Sequence, residues 1–147
     1  MTENKTCLTV GESAEFTRHI SAQDIATFAQ ISGDDDPVHT DEEYAKTTPF
    51  GRIIAHGVLA LSPASAVAAV ISKRAMDRGA VGRPVSIGYD RIRFTRPVFA
   101  GNTLTAKYTI EEIDDVAGRS RSKVEITNEN GELCVIATHI MVWARAK

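Results

Sequence analysis

Ser32-Gly33-Asp34-Asp35-Asp36-Pro37-Val38-His39 sets a carboxylate and an imidazole five residues apart across a turn bounded by glycine and proline. A second histidine follows at His56-Gly57. A carboxylate can orient a water while an imidazole exchanges its proton near neutral pH, which makes Asp34 and His39 the candidate catalytic pair. Pro37 lacks an amide proton and restricts the residue before it, so the run reads as a shaped loop rather than as helix. Loops held by a rigid scaffold are where chemistry concentrates. The residues alone leave a plainer reading open, in which Asp34 caps a turn and His39 flanks a helix. Asp35 is most cheaply placed in solvent. Asp36 either caps the turn leading to Thr40 or tunes His39 by favouring the imidazolium form.

His56-Gly57 stands where a long apolar segment begins. Amides at a helix N-terminus stabilise negative charge, and a glycine lets a substrate approach without a side chain in the way. The Gly57 N–H is therefore a candidate oxyanion contact, although a glycine demanded by the entering turn fits equally well. His56 itself reads as a packing or hydrogen-bonding residue beside the pair.

The elements that must hold these groups follow from periodicity. Residues 14–20 read as a short strand. Ser21 and Asp24 then mark a helix N-terminus, and Ile25, Phe28 and Ala29 continue it at helical spacing until Gly33. Thr40-Asp41-Glu42-Glu43 repeats the capping signal ahead of Tyr44 and Ala45. The apolar helix over about 56–74 is rich in Ala and Ser and carries Pro63. It is apolar around much of its circumference, which predicts an enclosed position.

From Pro84 the period changes to two. Strands are expected through 85–94, with an irregularity near Asp90, and through 103–110, 119–127 and 133–143. Asn130-Gly131 forms a hairpin turn between the last two. One long helix followed by antiparallel strands suggests a curved sheet wrapped around that helix. Repeated strand–helix–strand units, and with them a doubly wound fold, are absent.

The chain has 147 residues, enough for one domain with a real core. Its 17 Lys and Arg against 19 Asp and Glu give a net charge of −2, which offers no general pull toward nucleic acid or an anionic membrane. Local basic side chains such as Arg52, Arg91, Arg93 and Arg96 remain available to a phosphorylated ligand. Tyr89, Phe94, Phe99 and Trp143 are expected in the core or an interface. No signal peptide is expected at residues 1–5, and the most apolar stretch, 58–71, is short for a membrane span. Cys7 and Cys134 form no metal or redox spacing, so two thiols in a cytoplasmic protein are expected. Phosphate-binding glycine motifs and zinc spacings are missing as well.

The run from Ser32 to His39, with Ala45 six positions beyond His39, resembles the (R)-specific enoyl-CoA hydratase motif of the MaoC-like family. Phe50-Gly51-Arg52-Ile53-Ile54-Ala55-His56-Gly57-Val58-Leu59 is similar to that family's entry into its central helix. Residues 93–104, RFTRPVFAGNTL, are similar to a later segment that is shared more widely among hot-dog proteins.

The resemblance implies one α+β hot-dog domain over 1–147, an antiparallel curved sheet wrapped around a long central helix, assembled as a homodimer or a higher oligomer. It implies a hydro-lyase acting on a trans-2-enoyl thioester, with coenzyme A as part of the substrate and no metal or redox cofactor. Asp34 and His39 take the catalytic positions and Gly57 the oxyanion position. Ser65 and Ala68 match positions lining the acyl pocket. Small residues there suggest tolerance of acyl chains longer than crotonyl. The chain departs from the motif at Asp36, where Asn is usual; Asn both donates and accepts, whereas an ionised Asp only accepts. Other readings remain open: a hot-dog thioesterase, a dehydratase acting on acyl carrier protein, and a non-catalytic acyl-thioester-binding subunit.

Overall fold

The computed structural model describes residues 6–145, so the reading of residues 1–5 lies outside it. Strand β1 (Ser13–His19) leads into helix α1 (Ala22–Ser32). There Ser21 and Asp24 form a reciprocal capping box, and Gly33 closes the helix in the left-handed conformation at φ 79°. Two short helices follow, α2 (Pro37–Thr40) and α3 (Glu42–Lys46), then α4 (Gly57–Leu61) and α5 (Pro63–Asp77). Strands β2 (Arg83–Phe94), β3 (Thr103–Asp114), β4 (Arg119–Thr127) and β5 (Leu133–Ala144) complete one antiparallel sheet in the order β1-β3-β4-β5-β2. The result is a helix laid across a curved five-stranded sheet, the hot-dog architecture.

Two local expectations change, and the place of Pro63 is settled. Pro37 does not bar helix: it occupies the first helical position of α2, where its missing N–H would be unpaired anyway. Only residues 33–36 lie between α1 and α2. The capping signal before Tyr44 is used one residue later than a Thr40 box would have it. Asp41 accepts from the Tyr44 N–H at 3.1 Å, while Thr40 Oγ1 donates to the carbonyls of Asp35 and Asp36. Pro63 divides the central helix by starting α5 at its first turn.

The central helix is also longer and more open than its apolar sequence suggests. Together α4 and α5 span 21 residues, enough by length and composition to cross a membrane. Yet Ala64, Val67, Ala68, Ile71 and Ala75 are buried as one stripe against the sheet, as in a core helix. The helix packs mainly over β1 and β3, and its Ser65 and Ala69 face is left exposed. β2, the strand at one edge, is correspondingly uncovered, with Val85, Ile87 and Phe94 all exposed. Five strands curl around one side of the helix only.

The expected irregularity near Asp90 is present. The β2–β5 register shifts between Ser86 and Gly88 and again between Asp90 and Arg93, with Arg91 at φ 53°. β5 is interior, between β4 and β2, which accounts for its long apolar run. Trp143 packs into the core, and no disulfide joins Cys7 to Cys134.

One polar chain crosses this core. Tyr108 Oη lies 2.7 Å from His139 Nδ1, and His139 Nε2 lies 2.7 Å from Ser86 Oγ. Burial holds His139 well below the ordinary imidazole range, at about 4, and pushes the Tyr108 phenol up to about 12. The unfolded chain therefore takes up a proton near pH 6.5 that the folded protein refuses until about 4. Stability is expected to fall by about 3 kcal/mol from this group as pH drops through that window, and to be unaffected by it above. Urea titrations at neutral pH and near pH 4 check this. His139→Gln, which cannot titrate, should lose correspondingly less stability on acidification than the wild type; an identical loss would show that His139 is not responsible.

Candidate active site

Each turn from Gly33 to His39 is fixed by local hydrogen bonds. The Asp34 N–H donates to Ser32 Oγ at 3.1 Å, and Asp34 Oδ1 accepts from the Asp36 N–H at 3.3 Å. Asp36 Oδ1 accepts from the Val38 N–H at 3.0 Å and so caps α2. That contact is the capping role open to Asp36, a role Asn fills with the same oxygen. Asp36→Asn is expected to shift stability by less than about 0.5 kcal/mol and Asp36→Ala to cost about 1 kcal/mol. Thermal melts of the two variants test the difference. Asp35 is exposed, as solvent placement requires.

His39 is held from its far side. Its Nδ1 lies 2.7 Å from the Ile54 carbonyl, which can only accept, so Nδ1 carries the proton and Nε2 presents its lone pair. Nε2 faces Asp34 Oδ2 at 3.9 Å. That gap is too long for a direct hydrogen bond, but a water about 2.8 Å from each atom would bridge it at close to a right angle. Such a water donates one hydrogen to the carboxylate and one to the imidazole, leaving both of its lone pairs free to attack.

His56 holds this pair in place. Its Nε2–H donates to the Asp34 carbonyl at 2.9 Å, and its ring stacks on His39 with centroids 3.8 Å apart. Phe28, from α1, contacts the same ring at 4.7 Å. Asp34, His39 and His56 bring ligand-type atoms within 4.8 Å of one another. The two rings are stacked only 25° from parallel, so their in-plane lone pairs run side by side. Zinc ligation needs lone pairs converging on one point at about 2.0–2.1 Å, which two imidazoles stacked in this way reach only by turning.

The segment around Ile54 is itself pinned. Ile54 bridges Phe99, the Ala55 N–H donates to Val98 O at 2.7 Å, and Arg52 lies over the Phe99 ring at 3.9 Å. Gly57 follows directly as the first residue of α4, where an N–H has no intrahelical acceptor. A cavity of about 300 Å³ brings His39 and Gly57 together with Ala60, Phe94, Arg96 and Val135. A larger hollow of about 500 Å³ reaches His39 from the α1 side, past Ile25, Ala29 and Asp35, but does not include Gly57. Only the first offers both an imidazole and a helix-start amide.

Ser65 and Ala68 lie elsewhere. They line a separate hollow of about 170 Å³ with Ser72, Ser86, Tyr89 and His139. Sequence reasoning had no means of seeing Phe94 over Gly57 or the Ile54 carbonyl behind His39, since both depend on chain segments meeting in space. His139 did carry a signal: a histidine at an inward position of an otherwise apolar strand.

The chain matches the MaoC like domain model over residues 5–132. It is 39% identical over 100 residues to the (R)-specific enoyl-CoA hydratase of Rhodospirillum rubrum, covering 68% of this chain and 64% of that protein. The match thus spans a little less than two thirds of that relative's length. It is 32% identical over 135 residues to the 3-hydroxybutyryl-CoA dehydratase of Methylorubrum extorquens, covering 92% of this chain and 80% of that one. Among solved structures, the unliganded R-hydratase of Pseudomonas aeruginosa superposes with a TM-score of 0.78 at 32% identity, over 95% of this chain and 84% of that chain. With the hot-dog topology, and with the family description extending over most of the sequence, the protein belongs to the MaoC-like domain family.

Proposed function

We propose that the protein adds water reversibly to a trans-2-enoyl-CoA to give the (R)-3-hydroxyacyl-CoA. The observation that carries this reading is the 3.9 Å gap between Asp34 Oδ2 and His39 Nε2, beside the cavity that holds Gly57. The thioester carbonyl withdraws electrons from the alkene, so water adds at Cβ and negative charge develops on the carbonyl oxygen. The Gly57 N–H meets that oxygen. As the C–O bond forms, the Asp34/His39 pair takes a proton from the water and returns it at Cα on the same face. No external oxidant or reductant is needed.

Coenzyme A enters as part of the substrate. Arg96 lines the cavity beside Gly57, where it pairs with Glu132 at 2.8 Å, and it is the cationic side chain of that cavity that a carrier phosphate would meet. Ser65 and Ala68 line a separate hollow farther along the central helix, so an acyl tail reaching them must pass beyond the cavity that holds Gly57. The uncovered edge strand β2, with exposed Val85, Ile87 and Phe94, supports a homodimer in which a second copy covers this side. Sedimentation of the purified protein tests that assembly, and a monomer at micromolar concentration counts against it.

A panel of enoyl-CoA esters tests the activity. Loss of enoyl absorbance without thiol release, with the (R) product on chiral analysis, is the expected result. Thiol release from saturated acyl-CoA would instead identify a thioesterase, and ligand binding without turnover a non-catalytic subunit.

A further inference from the structure

The hollow that holds Ser65 and Ala68 is lined mostly by groups that form hydrogen bonds. Ser65 and Ser72 from α5, Ser86 and Tyr89 from β2, and His139 from β5 all face it, and it contains no Asp, Glu, Lys or Arg. His139 is 1% exposed and links Ser86 to Tyr108 through its two ring nitrogens, each contact 2.7 Å. Keeping a histidine and a tyrosine inside an apolar sheet costs stability that Leu and Phe at these positions would not. The chain of hydrogen bonds ends on the exposed Ser86 hydroxyl, at the cavity wall.

Two directions of donation are open to this chain. Tyr108 can donate to Nδ1 while Nε2–H donates to Ser86, which turns the Ser86 O–H toward the cavity. Alternatively Ser86 donates to Nε2 and Nδ1–H donates to Tyr108, which leaves lone pairs facing the cavity. Because His139 stays neutral down to about pH 4, one ring nitrogen always donates and the other always accepts. The wall can therefore meet either a hydroxyl or a carbonyl oxygen.

The hollow and the catalytic cavity are separate but are built on the same elements. Both are bounded by the central helix on one side and by β2 and β5 on the other. From Val135 to His139 along β5 is about 13 Å at ~3.3 Å per residue. From Gly57 to Ser65 along the helix is about 12 Å at ~1.5 Å per residue. An extended acyl chain covers ~1.2 Å per bond, so about 12–13 Å corresponds to roughly ten chain atoms between an oxygen at Gly57 and the level of Ser65 and His139, whose Nε2 lies 2.7 Å from Ser86 Oγ. The hollow's 170 Å³ admits about half a dozen water-sized groups at ~30 Å³ each.

Resting on the enoyl-CoA hydratase reading, we infer that the preferred substrate is a medium-chain enoyl thioester bearing an uncharged oxygen near its far end, bound by Ser86 through the Tyr108–His139 relay. Without a cation in the hollow, a terminal carboxylate would find no charged partner there and is disfavoured relative to a hydroxyl.

The test compares kcat/KM of the wild type for trans-2-decenoyl-CoA, its ω-hydroxy derivative and its ω-carboxy derivative, with crotonyl-CoA as a check on the underlying reaction. The ω-hydroxy ester is expected to exceed the plain one by about tenfold, and the ω-carboxy ester to fall below both. In Ser86→Ala the ratio of ω-hydroxy to plain should collapse toward unity, and Ser86→Thr, which keeps the hydroxyl, should restore it. A wild type that hydrates crotonyl-CoA but treats the hydroxylated and plain esters alike would overturn the inference, as would an unchanged ratio in Ser86→Ala or a preference for the carboxylate. Failure on crotonyl-CoA itself would overturn the hydratase reading beneath it.

Discussion

Asp34→Asn is expected to lower kcat for enoyl-CoA hydration by about a thousandfold with little change in the melting temperature. Asn keeps an oxygen for the Asp36 N–H, now 3.3 Å from Oδ1, so the turn survives. In place of Oδ2 it puts an amide that only donates, 3.9 Å from the His39 Nε2, and the water loses one of its two acceptors. His39→Gln replaces the basic ring nitrogen with an amide oxygen that accepts a hydrogen bond but takes no proton, and is expected to cost a similar factor, while its side-chain NH2 can still reach toward the Ile54 carbonyl. Because both groups act on one water, the double variant should be hardly worse than the poorer single one. Single-turnover kinetics on crotonyl-CoA measure all three. Multiplying losses would mean that the two side chains serve separate steps, and a single variant within tenfold of wild type would remove that residue from the chemistry.

Much of this site was legible because its chemistry and its turn signals sit in the same short run. Ser21, Asp24 and Gly33 announce the ends of α1, and the helix delivers Asp34 directly from its C-terminus. The period-two alternation in 103–110 reports a half-buried strand that pairs with the one expected over 119–127, and β3 runs on beyond that alternation to Asp114. Pro37 was harder to place because one residue fits two contexts. A proline excludes the middle of a helix but suits its first turn, and only the Asp36 cap decides between them. The central helix misled for a related reason. Composition records how apolar a segment is, but not how many sides the rest of the chain covers. Exposure of Ser65 and Ala69 beside a bare β2 follows from the sheet's strand order, which no local pattern encodes. The partners of His39 were invisible on the same ground: Ile54 holds it through a backbone carbonyl, and any residue type has one.

Gly57 offers a sharper separation of packing from catalysis. Its backbone is not in the left-handed region, so its φ admits alanine, the better helix former. An added Cβ would lie 2.8 Å from Phe94 Cε2 and 2.9 Å from Cδ2 and Cζ. Phe94 is 52% exposed, so its ring can swing outward and the fold should survive Gly57→Ala with a small change in melting temperature. The methyl group nonetheless occupies the approach to the Gly57 amide. A developing enolate oxygen held beyond about 3.1 Å loses most of that contact, and kcat is expected to fall about a hundredfold, with KM moving much less. Combining Gly57→Ala with Phe94→Ala removes the collision but not the methyl group. If the amide stabilises the transition state, the double variant stays as slow as Gly57→Ala. If its activity returns to that of Phe94→Ala alone, glycine is there only to seat the phenylalanine, and the oxyanion contact must come from another group.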